Sequence, residues 1–93
     1  MTTTPGPEAR YAIRYKPSAA KAFRRIHPRE QQRLRSAIED LACNPHPAGS
    51  VQLIDGVGEW RVRVGDYRVI YDINDDVLVI LVLRIGHRRE VYR

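Results

Sequence analysis

Residues 59–71, Glu-Trp-Arg-Val-Arg-Val-Gly-Asp-Tyr-Arg-Val-Ile-Tyr, constrain the fold more than any other stretch of this chain. Trp60, Val62 and Val64 occupy one parity, Arg61 and Arg63 the other. Side chains alternate between the faces of a β-strand, so this is the pattern of a strand with one face buried. Gly65-Asp66 then predicts a two-residue hairpin turn, with glycine where φ must be positive. Closing the hairpin sets Val64 against Tyr67, Arg63 against Arg68, Val62 against Val69 and Trp60 against Tyr71. Directly opposed residues share a sheet face. Trp60, Val62, Val64, Tyr67, Val69 and Tyr71 therefore form an apolar face, and Arg61, Arg63 and Arg68 gather on the other. Like charges placed opposite one another cost stability. An anion, foremost a phosphate backbone, offsets that cost, and arginine grips phosphate in a bidentate manner.

The remaining sequence builds around this hairpin. Residues 11–15 predict a first strand, with Tyr11, Ile13 and Tyr15 on one face. Pro17 suits the first position of a helix running to about Ile26, and Pro28 opens a second. In the second helix Leu34, Ile38 and Leu41 recur at helical spacing, and Asn44-Pro45 stops it. Residues 51–54 read as a short edge strand. A turn at Asn74-Asp75-Asp76 leads to residues 77–85, which are apolar on both parities, as in a central strand covered on both faces. The expected architecture is α+β and two-layered: an N-terminal strand and helical hairpin packed on a small antiparallel sheet, helices over the Trp60/Tyr71 face, arginine face open to solvent.

A chain of 93 residues with 43% hydrophobic content suits one domain, here residues 10–93, preceded by a Thr/Pro/Gly-rich tail at residues 1–9 without the apolar core of a signal peptide. The net charge is +5, from Lys+Arg 16 against Asp+Glu 11, and only Lys16 and Lys21 are lysines. A basic balance dominated by arginine suits nucleic acid or an acidic protein. Cys43 stands alone, which excludes an internal disulfide and a cysteine zinc site. No apolar run is long enough to span a bilayer, and the cytoplasm is the expected compartment. Neither a phosphate-binding glycine loop nor a metal-ligand set nor a Ser/His/Asp constellation can be assembled, so no cofactor and no metal are expected.

After residue 85 come Gly86-His-Arg-Arg-Glu-Val-Tyr-Arg93. If the last strand pairs beside residues 67–73, it exits near the Gly65 turn, bringing His87, Arg88, Arg89 and Tyr92 towards Arg63 and Arg68. Arginine stays protonated and cannot act as a base, so proton transfer falls to His87 or Tyr92. The face taken by Arg84 depends on the length of the Asn74 turn.

The segments 60–71 and 85–92, with the helical hairpin ending in Leu41-Ala-Cys-Asn-Pro45, resemble the RelE/ParE superfamily of bacterial toxins from type II toxin–antitoxin modules, over residues 11–93. The resemblance implies the fold described above and, for RelE-like members, a metal-independent endoribonuclease that cleaves messenger RNA in the ribosomal A site. There the ribose 2′-hydroxyl attacks the adjacent phosphate, leaving a cyclic phosphate and a free 5′-hydroxyl. By matching positions, Arg61 and Arg63 fall where RelE-like enzymes carry basic residues, and Arg68 on an arginine that supports the transition state. Arg88 lies in the basic tail motif, and Tyr92 matches a C-terminal tyrosine tied to base activation. The best-known ribonuclease has lysines at the positions of Arg61 and Arg63 and a longer tail, which makes His87 a candidate for the base or acid role. Arg84, Arg89, Arg29 and Arg33 are candidates for further RNA contacts. The implied partners are a small acidic antitoxin forming a hetero-oligomer, messenger RNA and the ribosome with its 16S rRNA, and operator DNA only through the antitoxin. ParE-like members share the fold and inhibit DNA gyrase without catalysis, which is the rival reading. A plain RNA- or protein-binding module is a third.

Overall fold

The computed structural model describes residues 10–54, 56 and 58–87. The elements in chain order are β1 (Ala12–Tyr15), α1 (Pro17–Arg24), α2 (Pro28–Asp40), β2 (Val51–Gln52), β3 (Trp60–Val64), β4 (Tyr67–Asn74) and β5 (Val79–His87). The strands form one sheet in the order β1-β5-β4-β3-β2. β2 to β5 pair antiparallel as expected, while β1 lies parallel to β5, making the sheet mixed.

Both helices open on a proline, where the missing N–H is one that no intrahelical carbonyl would have accepted. Ahead of Pro28, His27 takes an extended backbone and its Nδ1 accepts the Arg29 N–H at 3.1 Å, capping α2. α1 ends at Arg24, two residues short of the expectation. Its last turn tightens, with Arg25 and Ile26 donating three residues back to Ala22 and Phe23. The Gln31 amide then donates to the Ile26 carbonyl at 2.9 Å and adds a second donor to the Phe23 carbonyl at 3.0 Å.

The core joins Ala19 of α1 and Leu34 and Ile38 of α2, with Leu41 just beyond, to Val62, Val69, Tyr71, Ile80, Val82 and Ile85 of the sheet. Leu34, Ile38, Val69, Tyr71, Ile80 and Val82 are each 0% exposed, and full burial of one such aliphatic side chain contributes roughly 1.5–3 kcal/mol. The helices cover the Trp60/Tyr71 face, as the alternation requires. On β5 only that face is fully closed. Val79, Leu81 and Leu83 on the remaining positions are half-buried, so the strand is not covered equally on both sides.

β3 and β4 pair in the anticipated register, from Trp60 opposite Tyr71 to Val64 opposite Tyr67. Gly65 has φ +61°, the left-handed value wanted at the first central position of a two-residue turn. The β4–β5 ladder contains a bulge: Ile70 pairs with Arg84, whereas Tyr71 pairs with Val82, leaving Leu83 as the extra residue. Its physical reason is visible in the side chains. Strict alternation from Ile80 and Val82 would drive Arg84 into the helix-covered core, where an unpaired charge is costly. The additional residue turns Arg84 outward and sends Ile85, 6% exposed, inward.

Candidate functional site

The parity of β3 and β4 and the length of the Gly65 turn position the arginines. Arg61, Arg63 and Arg68 line one cleft of about 310 Å³, together with Val62 and with Ala48 and Gly49 of the loop preceding β2. Arg63 is exposed and Arg61 half-buried. Arg68 departs from expectation. It was placed in solvent by parity, yet it is 7% exposed and its Nη1 is fully buried. Ile70, on the same face, is also buried at 8%. That side of the sheet is therefore a partly enclosed cleft and not an open surface. Across from Arg68 stands Gly86.

The β5 bulge decides two further residues. Arg84, opposite Ile70, lies on the arginine face and is exposed. His87 pairs with Tyr67 and so lies on the helix-covered face. The two rings meet edge to face with centroids 5.8 Å apart. His87 thus lines a different cleft, of about 370 Å³, with Ala22, Arg25, Ile26, His27, Tyr67, Ile85 and Gly86. The expected convergence of His87 on the arginine cluster is corrected: the sheet separates them. β5 does end beside the Gly65 turn, as anticipated. Arg88, Arg89 and Tyr92 lie outside the described residues.

Arg29 and Arg33 are exposed on α2, in the helical layer and not on the arginine face. Arg33 pairs with Glu30 at 3.4 Å on the helix surface. Its guanidinium also reaches the hairpin turn, 3.1 Å from where a Cβ on Gly65 would stand. No group of three or more metal-ligating side chains is found among the described residues, and no helix among them is long and apolar enough to cross a membrane.

The sequence reading missed the wall that Ala48 and Gly49 supply. Gly49 was a usable signal, since it sits two residues before the edge strand that pairs Val51 with Arg61. It also missed what the core does for that wall. The buried phenol of Tyr71 donates to the Pro45 carbonyl at 2.8 Å. Burial pushes its ionisation above the ordinary tyrosine value, with the nearby Ser50 hydroxyl opposing.

A small helical hairpin on a five-stranded mixed sheet is the fold this chain shares with RelE-type toxin structures. The family model for the ParE toxin of the type II toxin-antitoxin system, parDE, matches residues 13–92, and the chain belongs to this family of type II toxins within the RelE/ParE superfamily. Toxin RelG of Mycobacterium tuberculosis is 29% identical over 84 residues, spanning 89% of this chain and 97% of the relative. Among solved structures, the archaeal RelE-RelB complex from Pyrococcus horikoshii matches with a TM-score of 0.75 and 26% identity, over 85% of this chain and 96% of the other. The isolated RelE toxin of Escherichia coli matches with a TM-score of 0.74 and 21% identity, over 88% and 90%, which speaks for the fold.

Proposed function

We propose that this toxin is a metal-independent endoribonuclease that cuts messenger RNA, in the ribosomal A site, in the cytoplasm. The observation that carries this reading is the meeting of Arg61, Arg63 and Arg68 in one cleft. Strand cleavage by a ribose 2′-hydroxyl needs two kinds of help. The pentacoordinate phosphorane must be stabilised as negative charge builds, and protons must leave the 2′-oxygen and reach the departing 5′-oxygen. The three guanidiniums serve the first need, since preorganised cations in a partly closed site act more strongly than in bulk water. Buried Arg68 is the most firmly held, and exposed Arg63 and half-buried Arg61 take the flanking phosphate oxygens. Arg84 extends the same basic face for the strand beyond.

Proton transfer falls to Tyr92, which matches the family's C-terminal tyrosine. The support for this is that β5 delivers the chain beside the Gly65 turn, at the end of the hairpin bearing Arg63 and Arg68. Arg88 and Arg89, next in sequence after His87, add cations for the RNA backbone. His87, turned towards Tyr67, takes no part in the chemistry of this cleft.

The neutralising partner is a small acidic antitoxin. Its support is the excess of cationic residues on this chain and the description of the Pyrococcus horikoshii relative as a RelE-RelB complex. Codon-phased cuts by primer extension on cellular messages, after brief induction, are the expected result. DNA breaks and filamentation without such cuts would instead establish gyrase inhibition and overturn the ribonuclease reading.

A further inference from the structure

Resting on the ribonuclease reading, we infer that Ala48 and Gly49 form the wall of the arginine cleft that selects the nucleobase beside the gripped phosphate, and that Tyr71 is the positioning residue for this wall. A ribonucleotide presents an anion and a flat, uncharged base. The cleft is built in the same two parts. Guanidiniums occupy one side, and the side formed by Ala48 and Gly49 carries no charge. Its volume of about 310 Å³ lies at the low end of the roughly 300–1,000 Å³ spanned by small-ligand sites, a size for one nucleotide and not for a duplex.

Both wall residues are exposed. Gly49 has φ +91°, and nothing lies within 4 Å of the place a Cβ would take. Its peptide is therefore open to a base edge, while the Ala48 methyl offers the smallest apolar surface for a base to lie against. Selection by shape requires a wall that does not yield. This loop is braced on both sides of the wall residues. The Asn44 side chain accepts the His46 N–H at 3.2 Å, and the Ser50 N–H donates to the Pro47 carbonyl at 2.9 Å. His46 packs edge-on against Trp60, with ring centroids 4.4 Å apart. Tyr71, 0% exposed, ties down the start of the segment at Pro45. The wall cannot shift far without straining that bond, and Tyr71 itself does not line the cleft.

The experiment uses ribosomes programmed with messages that vary the A-site codon, and measures kcat and KM for the wild type, Ala48→Leu and Tyr71→Phe. Ala48 is exposed, so Ala48→Leu folds normally. It is expected to change the ranking of codons by about tenfold or more against the larger bases. Tyr71→Phe is expected to raise KM several-fold and flatten the ranking, with kcat on the best codon kept. That combination separates a displaced wall from simple loss of folded protein. Wild-type ranking in both variants, or a wild type that cuts all codons alike, overturns the inference and leaves the ribonuclease reading standing. A wild type that cuts none of the messages overturns both.

Discussion

Arg63 and Arg68 stand directly opposite each other across β3 and β4, the first exposed and the second 7% exposed. Two guanidiniums in one register position, in such different surroundings, respond differently to truncation. Arg63→Ala removes a solvent-facing cation and also relieves like-charge repulsion across the ladder. It should change stability by less than about 0.5 kcal/mol while greatly weakening growth arrest. Arg68→Ala also abolishes arrest but empties a packed site, at a cost of about 1–2 kcal/mol. Urea denaturation of both variants, alongside growth curves on induction, checks the pair. A fully toxic Arg63→Ala would remove the cleft from the mechanism.

His87→Gln should leave single-turnover cleavage within about twofold of wild type, since the imidazole faces Tyr67 across the sheet from the arginine cleft. Losing the ring contact with Tyr67 costs about 0.5–1 kcal/mol of that variant's stability. A drop in rate of a hundredfold or more, the range lost with a general acid or base, would return His87 to the chemistry.

Two turns offer substitutions of opposite sign. Gly65 holds φ +61°, so Gly65→Ala should destabilise the hairpin by about 1–2 kcal/mol. Leu78, before β5, has φ +56° with a full side chain, 38% exposed. Its carbonyl accepts the Ala12 N–H at 2.9 Å, which fixes the strained backbone where β1 joins β5. Leu78→Gly removes the steric penalty and should stabilise by about 0.5–1 kcal/mol. Thermal midpoints that move in the same direction for both would contradict this account.

Alkaline pH should weaken the fold through tyrosines. Burial raises the ionisation of both Tyr71 and Tyr15 above the ordinary 10.0. Near Tyr15, Glu39 adds to the rise and Arg35 opposes it. A raised folded-state value means that the neutral phenol is the form the fold favours. The stability is fully present below about pH 10 and is lost as pH rises through the folded-state values. Thermal melts between pH 8 and 11 should show this decline, with a smaller slope in Tyr71→Phe. An unchanged slope in that variant would argue against Tyr71 as a source.

The hairpin was legible in the sequence alone. Period-two alternation and a glycine turn are local signals, and together they fix the β3–β4 register, the apolar face and the common parity of Arg61, Arg63 and Arg68. The proline-opened helices and the apolar stripe ending in Leu41 were equally local. What only tertiary structure decided lay on β5 and in the surroundings of the cleft. Had one register run unbroken along β4 and β5, His87 would face the arginines and Arg84 the core. One bulge residue reverses both, because a slip of one residue flips every side chain beyond it. No residue announces that bulge by itself. It follows from the cost of burying Arg84 under helices that are distant in sequence. The parallel seat of β1 beside β5, the burial of Arg68 and the wall from residues 45–50 likewise come from segments that meet only when the sheet closes. Their causes are packing and desolvation, which a single strand's pattern does not encode.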